Sequence, residues 1–288
     1  MPKLTTDFNQ RTVALVYDFD GTLSPQAMQE YGVLPSLDIE PSDFWRSVKT
    51  KRKALGAEEL LVYMREMVQL ADQKQIRLDR EAFQSHVASI EFFEGVPEWF
   101  DRIDQFSHQL SDGEVAVEHY IISSGLKEMI EGCSIAPKFR EIFACEFLYD
   151  QYGHPQWPGR IISDTSKTQY LFRINKGVLD VNDSINSHMP FRDRPIPFDN
   201  MIYFGDGDTD VPSMAVTMAN GGHAIAVHKP GASSEKCITL REAGRIDLFC
   251  EADYRPNSDL DSMVKDILRV VVSRVTLRSK IANIGQML

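Results

Sequence analysis

Residues 12–23 read Thr-Val-Ala-Leu-Val-Tyr-Asp-Phe-Asp-Gly-Thr-Leu. The first six are apolar and partly β-branched, and the run stops at two acids and a glycine. A short continuous apolar run that ends at a Gly turn reads as a strand buried on both faces, the habit of a parallel sheet. Three further runs share this form. Residues 118–122 (EHYII) end in Ser123-Ser124-Gly125; residues 201–204 (MIYF) end in Gly205-Asp206-Gly207; residues 224–227 (AIAV) end in His228-Lys229-Pro230-Gly231. Helix-like segments follow, at Leu126–Glu131 and Asp210–Ala219. Strand–helix alternation predicts a doubly wound, Rossmann-like α/β sheet, with ligands beyond the carboxyl ends of its strands.

From Gln26 to Ile90 the texture changes to Glu, Lys, Arg, Gln, Leu and Met, with no strand signal. Leu60, Leu61, Met64, Met67 and Val68 recur at helical spacing and read as core between helices. The expected organisation is an α/β core of residues 1–25 and 91–288, with a small helical cap at 26–90. Residues 91–97 form the return linker, and Pro97 opens the next helix. Residues 143–162 read as a β-hairpin, and 180–200, rich in Asn, Asp, Ser and Pro, as a long loop. The basic run Arg46, Lys49, Lys51, Arg52, Lys53 reads first as a solvated helix face, and second as a surface that recruits an anion.

The chain has 288 residues with 31 Lys+Arg against 42 Asp+Glu, a formal charge of −11. That balance disfavours bulk binding of a nucleic-acid polymer. No stretch approaches the roughly 18 apolar residues of a membrane span, and no apolar signal core precedes the first strand. A cytoplasmic protein is expected. The four cysteines form no CxxC pair and read as reduced, buried thiols.

The chemistry is expected at the strand ends. Asp18 and Asp20 lie two apart where the chain turns, and like charges this close call for a hard cation. Asp206 and Asp210 add carboxylates at the same edge, whereas Asp208 reads as a solvated neighbour. Ser123, Ser124 and Gly125 supply a hydroxyl and amides at an expected helix start, a setting for an anion. Lys167 is preferred over Lys176 as the site cation because it begins its helix-like segment.

These four pieces, in this order, resemble the four signature motifs of the haloacid dehalogenase superfamily, and its phosphoserine-phosphatase-like branch most. The resemblance spans roughly Val13 to Val227. It implies Asp18 as a nucleophile that forms an aspartyl-phosphate and Asp20 as general acid and base, oriented by Thr22. It implies Ser123, Ser124 and Gly125 on phosphate oxygens and Lys167 as charge compensator. Mg2+ would be held by Asp18, Asp206 and the Asp20 carbonyl, with Asp210 in support. Asp20 argues for phosphate chemistry, since dehalogenases lack that second acid. The implied activity is Mg2+-dependent hydrolysis of a small phosphorylated metabolite. The alternatives are a phosphotransferase or phosphomutase, or a non-catalytic regulatory binding protein of the same fold. One departure stands out. Phosphoserine phosphatases carry a Glu shortly after the first motif; nine residues on from Asp18 this chain has Ala27, with Glu30 three further.

Overall fold

The computed structural model describes residues 8–287. Residues 1–7 and Leu288 lie outside the described residues, so the reading of the extreme N-terminus is not addressed by it. In chain order the strands are β1 (Thr12–Tyr17), β2 (Ala116–Leu126), β3 (Phe139–Tyr149), β4 (Pro155–Arg160), β5 (Met201–Gly205), β6 (His223–His228) and β7 (Leu248–Glu251). The principal helices are α1 (Met28–Tyr31), α2 (Val33–Ser36), α3 (Pro41–Leu55), α4 (Glu59–Gln73), α5 (Arg80–Ser85), α6 (Val96–Leu110), α7 (Lys127–Gly132), α8 (Lys167–Lys176), α9 (Val211–Ala219), α10 (Glu235–Glu242) and α11 (Asp259–Met287).

The strands form one sheet in the order β4-β3-β2-β1-β5-β6-β7. All neighbouring pairs are parallel except β3 with β4. This is the doubly wound α/β architecture expected from the four apolar runs. From β1 the chain builds outward through β2 to one edge, then returns to the other side of β1 at β5. The carboxyl end of β1 is therefore the switch point where such sheets form their crevice. Val13 to Tyr17 have no solvent exposure at all, which explains why the run tolerates no polar residue.

Two strands go beyond the expectation. The hairpin is present, but its first arm begins at Phe139 and also pairs with β2. Strand β7 extends the other edge and had no counterpart in the sequence reading. A third difference concerns Ser123-Ser124-Gly125, expected in a turn at a helix start. These residues continue β2, and the helix begins only at Lys127. Ile122 pairs with Phe143 but Leu126 with Cys145, so four steps on β2 match two on β3. The segment is thus an irregular bulge, a device that re-aims side chains within a sheet.

Residues 28–89 hold α1–α5 and a 3-10 turn, His86–Ser89, with no named strand. Val62, Tyr63, Met64 and Met67 of α4 are buried. The segment leaves and rejoins the rest of the chain at neighbouring points, because the Phe93 N–H donates to the Leu23 carbonyl at 3.0 Å. Helix α6 returns with Pro97 in its first turn. It is fastened to the sheet by a buried chain of hydrogen bonds: Trp99 Nε1 donates to the Tyr17 hydroxyl at 2.9 Å, which meets His119 Nδ1 at 3.0 Å.

The 180–200 segment has few regular elements but is held from α8. Arg173 Nη1 donates to the carbonyls of Val178, Asp180 and Asp183, and Lys176 Nζ to those of Ile185 and Ser187. Asn175 adds a bond to the Ile196 carbonyl at 2.8 Å. Such clamps satisfy backbone acceptors that an irregular segment cannot pair with itself.

Candidate active site

Strands β1 and β5 are direct neighbours, so the acids that follow them meet. Carboxylate oxygens of Asp18, Asp206 and Asp210 lie within 4.8 Å of one another. Lys167, with no solvent exposure, starts α8 and reaches into this group: its Nζ is 2.9 Å from Asp18 Oδ2 and 2.8 Å from Asp210 Oδ1. Both Asp18 oxygens are engaged, since the Phe19 N–H donates to Oδ1 at 2.8 Å. The Tyr203 hydroxyl donates to Asp210 Oδ1 at 2.8 Å.

The Asp20 carboxylate stands apart from this trio. Its Oδ1 accepts the Met28 N–H at 2.9 Å, and its Oδ2 lies beside Gly125. Met28 also lays its thioether over the bulge, where its sulfur accepts the Leu126 N–H at 3.2 Å. A Cβ on Gly125 would meet the Met28 methyl at 2.1 Å, so a side chain there would have to displace the end of Met28. Ser123 is buried, and its hydroxyl accepts the Gly125 N–H at 3.0 Å. The Ser124 hydroxyl turns away, donating to the Ile162 carbonyl at 2.7 Å. Its side chain fastens the bulge to the hairpin and is not directed at the acids. Thr22 is fully buried with Oγ1 unpartnered, while its carbonyl accepts the Tyr254 hydroxyl at 2.8 Å. Asp208 is exposed, with Lys236 at 3.5 Å.

Crowding and burial set the electrostatics. Burial pushes the Asp18 carboxyl up to about 7; Lys167 pulls against this, and Asp210 and Asp206 add to it. Burial and the adjacent Asp210 lift Asp206 to about 6. Burial and the Asp18 charge raise Asp20 well above the ordinary carboxylate range. Burial opposes the Lys167 charge, but Asp18 and Asp210 outweigh it and hold the amine above its ordinary value. One buried lysine therefore faces three buried or half-buried carboxylates, which leaves a deficit of positive charge. Asp210 Oδ2 is buried with no partner. Hard oxygen donors, an orphaned carboxylate oxygen and excess negative charge fit a hard divalent cation such as Mg2+.

Gly21 permits this convergence. Its φ is +78°, and a Cβ there would lie 2.2 Å from Asp206 Oδ2. Gly21→Ala is expected to cost about 1–3 kcal/mol in backbone strain alone, and to push Asp206 out of the group. Thermal unfolding should show both a lower Tm and a smaller rise on adding Mg2+. A variant with wild-type Tm and Mg2+ response would contradict this account.

Some residues of the site carry no motif. Tyr203 sits inside an apolar run and reads only as core. Met28 lies past the first motif among residues of unremarkable type. Lys176, the competing cation, is at the far end of α8 with its amine on the 180–200 segment. Glu30 accepts Trp45 Nε1 at 2.7 Å, so one of its oxygens holds α1 to α3.

A family model for haloacid dehalogenase-like hydrolases matches residues 15–215. The chain belongs to that family. It is 28% identical over 282 residues to an uncharacterised protein of Borreliella burgdorferi, covering 89% of this chain and 96% of that protein. Among solved structures it resembles a probable phosphoserine phosphatase from Vibrio cholerae, at 14% identity and a TM-score of 0.57 over 93% of this chain and 67% of that one. A HAD family hydrolase from Salmonella enterica serovar Typhi gives 15% and 0.55, with 82% and 66% covered. A phosphoserine phosphatase holding a phospho-aspartyl intermediate analogue gives 17% and 0.51, with 89% and 99% covered. At these identities the likeness is one of fold. No helix among the described residues is long and apolar enough to cross a membrane.

Proposed function

We propose that this hydrolase is a Mg2+-dependent phosphatase that cleaves a small phosphomonoester through a phosphoryl group carried on Asp18. The observation that carries the reading is the pairing of two acids in different settings. Asp18 is fixed at both oxygens beside Lys167, while Asp20, two residues on, keeps one oxygen free of protein hydrogen bonds at the bulge.

Asp18 attacks phosphorus with a carboxylate oxygen, and the ester P–O bond breaks. Asp20, whose environment favours its protonated form, gives that proton to the leaving oxygen. Water then attacks the phosphorus, Asp20 takes a proton from it, and the acyl-phosphate P–O bond breaks to release phosphate and free Asp18. Lys167 offsets charge on Asp18 throughout. The Ser123 hydroxyl and the Gly125 region line the side of the site where phosphate oxygens would rest. Asp18, Asp206 and the Asp20 carbonyl, with Asp210 in support, would hold Mg2+, which would supply positive charge to the transferring group. Residues 26–90 act as a cap that excludes water and selects the leaving group. With Ala27 where an amine-reading Glu would stand, and Glu30 tied to Trp45, phosphoserine is not the favoured substrate.

The test is hydrolysis of p-nitrophenyl phosphate followed by a panel of phosphorylated metabolites. Turnover should be abolished by EDTA and restored by Mg2+. Binding of Mg2+ and phosphate without turnover on any substrate would instead favour a regulatory binding protein.

The raised acids give a second expectation. Without metal, Asp18 and Asp206 hold protons in the folded state up to about 7 and about 6, well above where they lose them when unfolded. Their contribution to stability is then present at low pH and lost as pH rises from about 4 to 7. Mg2+ must displace those protons. The rise in Tm on adding Mg2+ should therefore be larger at pH 7.5 than at pH 5.5; an equal or reversed rise would show that these acids do not hold the ion.

A further inference from the structure

A groove of about 470 Å3 lies between the end of α3, α4 and β4, lined by none of the acids of the site. Leu55, Leu61, Val62, Trp157 and Pro158 give it an apolar lining. Leu55 is 65% and Trp157 59% exposed, so two large apolar side chains remain without cover. Glu66 also borders the groove but is already neutralised by Lys51 and bonded by Ser47. Arg65 is exposed on the groove and has no acid partner among the described residues. Ala57 joins the groove to a second depression lined by Lys49, Arg52 and Lys53. Of the basic run noted in the sequence, Arg52 is paired with Glu59, while Lys49 and Lys53 border this second depression beside the apolar floor, in a chain whose net charge is −11.

We propose that this groove binds a small amphipathic anion, its apolar body on Leu61, Val62 and Trp157 and its anionic head on Arg65. Charge complementarity selects the sign. Size selects the class, because the volume falls within the range of small-molecule sites, about 300–1,000 Å3, while a protein partner needs a far broader surface. The site adjoins elements that hold the candidate phosphate segment. Tyr63, the residue after Val62, donates its hydroxyl to the Ser124 carbonyl at 3.2 Å, and Ile162, just past β4, accepts the Ser124 hydroxyl.

The test is titration with dodecanoate, at concentrations where it stays monomeric, read by calorimetry and by tryptophan emission. Of the three tryptophans, Trp99 is fully buried, Trp45 is half-buried and Trp157 is 59% exposed, so a blue shift that is lost in Trp157→Ala reports Trp157. Saturable 1:1 binding with a blue shift is expected. Affinity should fall by about tenfold or more in Arg65→Glu and, by calorimetry, in Trp157→Ala, both exposed positions where folding is not at stake. Dodecyltrimethylammonium, with the same chain and the opposite charge, should bind weaker by a similar factor. No saturable binding, equal binding of the cationic analogue, or unchanged affinity in both variants would each overturn the proposal. None of these readouts depends on phosphatase activity, so the proposal and the functional reading fail separately.

Discussion

Asp18→Asn is expected to abolish hydrolysis of p-nitrophenyl phosphate while leaving the fold intact. Asn matches Asp in shape, so the amide can still accept the Phe19 N–H. What it cannot do is donate an electron pair to phosphorus with the strength of a carboxylate, or leave an acyl-phosphate that water can open. Loss of a covalent nucleophile typically lowers kcat by on the order of 10^4-fold or more. Two effects oppose each other in the stability change. Burial pushes the Asp18 carboxyl up to about 7, so at pH 7.5 the metal-free fold carries a disfavoured charge that the amide removes; against this, the amide nitrogen faces Lys167 Nζ where Oδ2 stood at 2.9 Å, and Asp210 is left as that amine's partner. Metal-free Asp18→Asn should therefore unfold close to the wild-type temperature, with a smaller rise on adding Mg2+. Activity within tenfold of wild type in a clean preparation would sink the role given to Asp18. A collapsed Tm would show instead that the carboxylate is structural.

The sheet was legible because parallel strands are buried on both faces and leave continuous apolar runs, as at residues 12–17 and 201–204. Where burial is incomplete the signal fades. Strand β7 has half-buried Leu248 and Phe249 and an exposed Glu251, and nothing in four such residues separates a strand from a loop. The long helix α11 buries Val264, Leu268, Val271, Val272 and Val275, spacings of three and four that carry a helical period. The first arm of the hairpin begins earlier than its aromatics suggest, because β3 takes its place beside β2 through Phe139 and Glu141.

The acids and Lys167 were legible for a different reason. Several acids that follow neighbouring apolar strands are crowded at one edge, which is costly without a cation, so Asp18, Asp206 and Asp210 announce themselves by type and spacing. Met28 and Tyr203 do not. Met28 works through a backbone N–H and a thioether, and Tyr203 through one hydroxyl inside a core strand; neither leaves a trace in residue type or spacing. Ser124 shows the converse. Its place beside Ser123 suggests a ligand hydroxyl, yet the bulge turns that hydroxyl to Ile162, a result of pairing with β3 that the sequence alone cannot supply.

Lys167→Met is expected to produce the largest loss of stability in the site, and a loss that Mg2+ partly reverses. Lys167 is fully buried, with its amine shared between Asp18 and Asp210. Met fills a similar volume without charge, so packing is preserved and electrostatics alone is tested. Removing one partner of a buried ion pair typically costs about 3–5 kcal/mol, since the remaining charge is left uncompensated. Here Asp18, Asp206 and Asp210, crowded within 4.8 Å, would have no cation among them. Urea unfolding in EDTA at pH 7.5 should show a loss of that order. A divalent ion that binds only the folded state restores about 2.7 kcal/mol at one hundred times its Kd, so saturating Mg2+ should recover a large part of it. Activity should stay low in Mg2+, by about 10^2- to 10^3-fold, because the ion does not replace the donor aimed at the charge that develops during transfer. Lys176→Met, at the other end of α8, is the control: it removes bonds to the Ile185 and Ser187 carbonyls, and its cost should be the same with and without Mg2+. A loss below about 1 kcal/mol for Lys167→Met, or one that Mg2+ leaves unchanged, would mean that the three acids do not form the charged, cation-requiring centre their geometry implies.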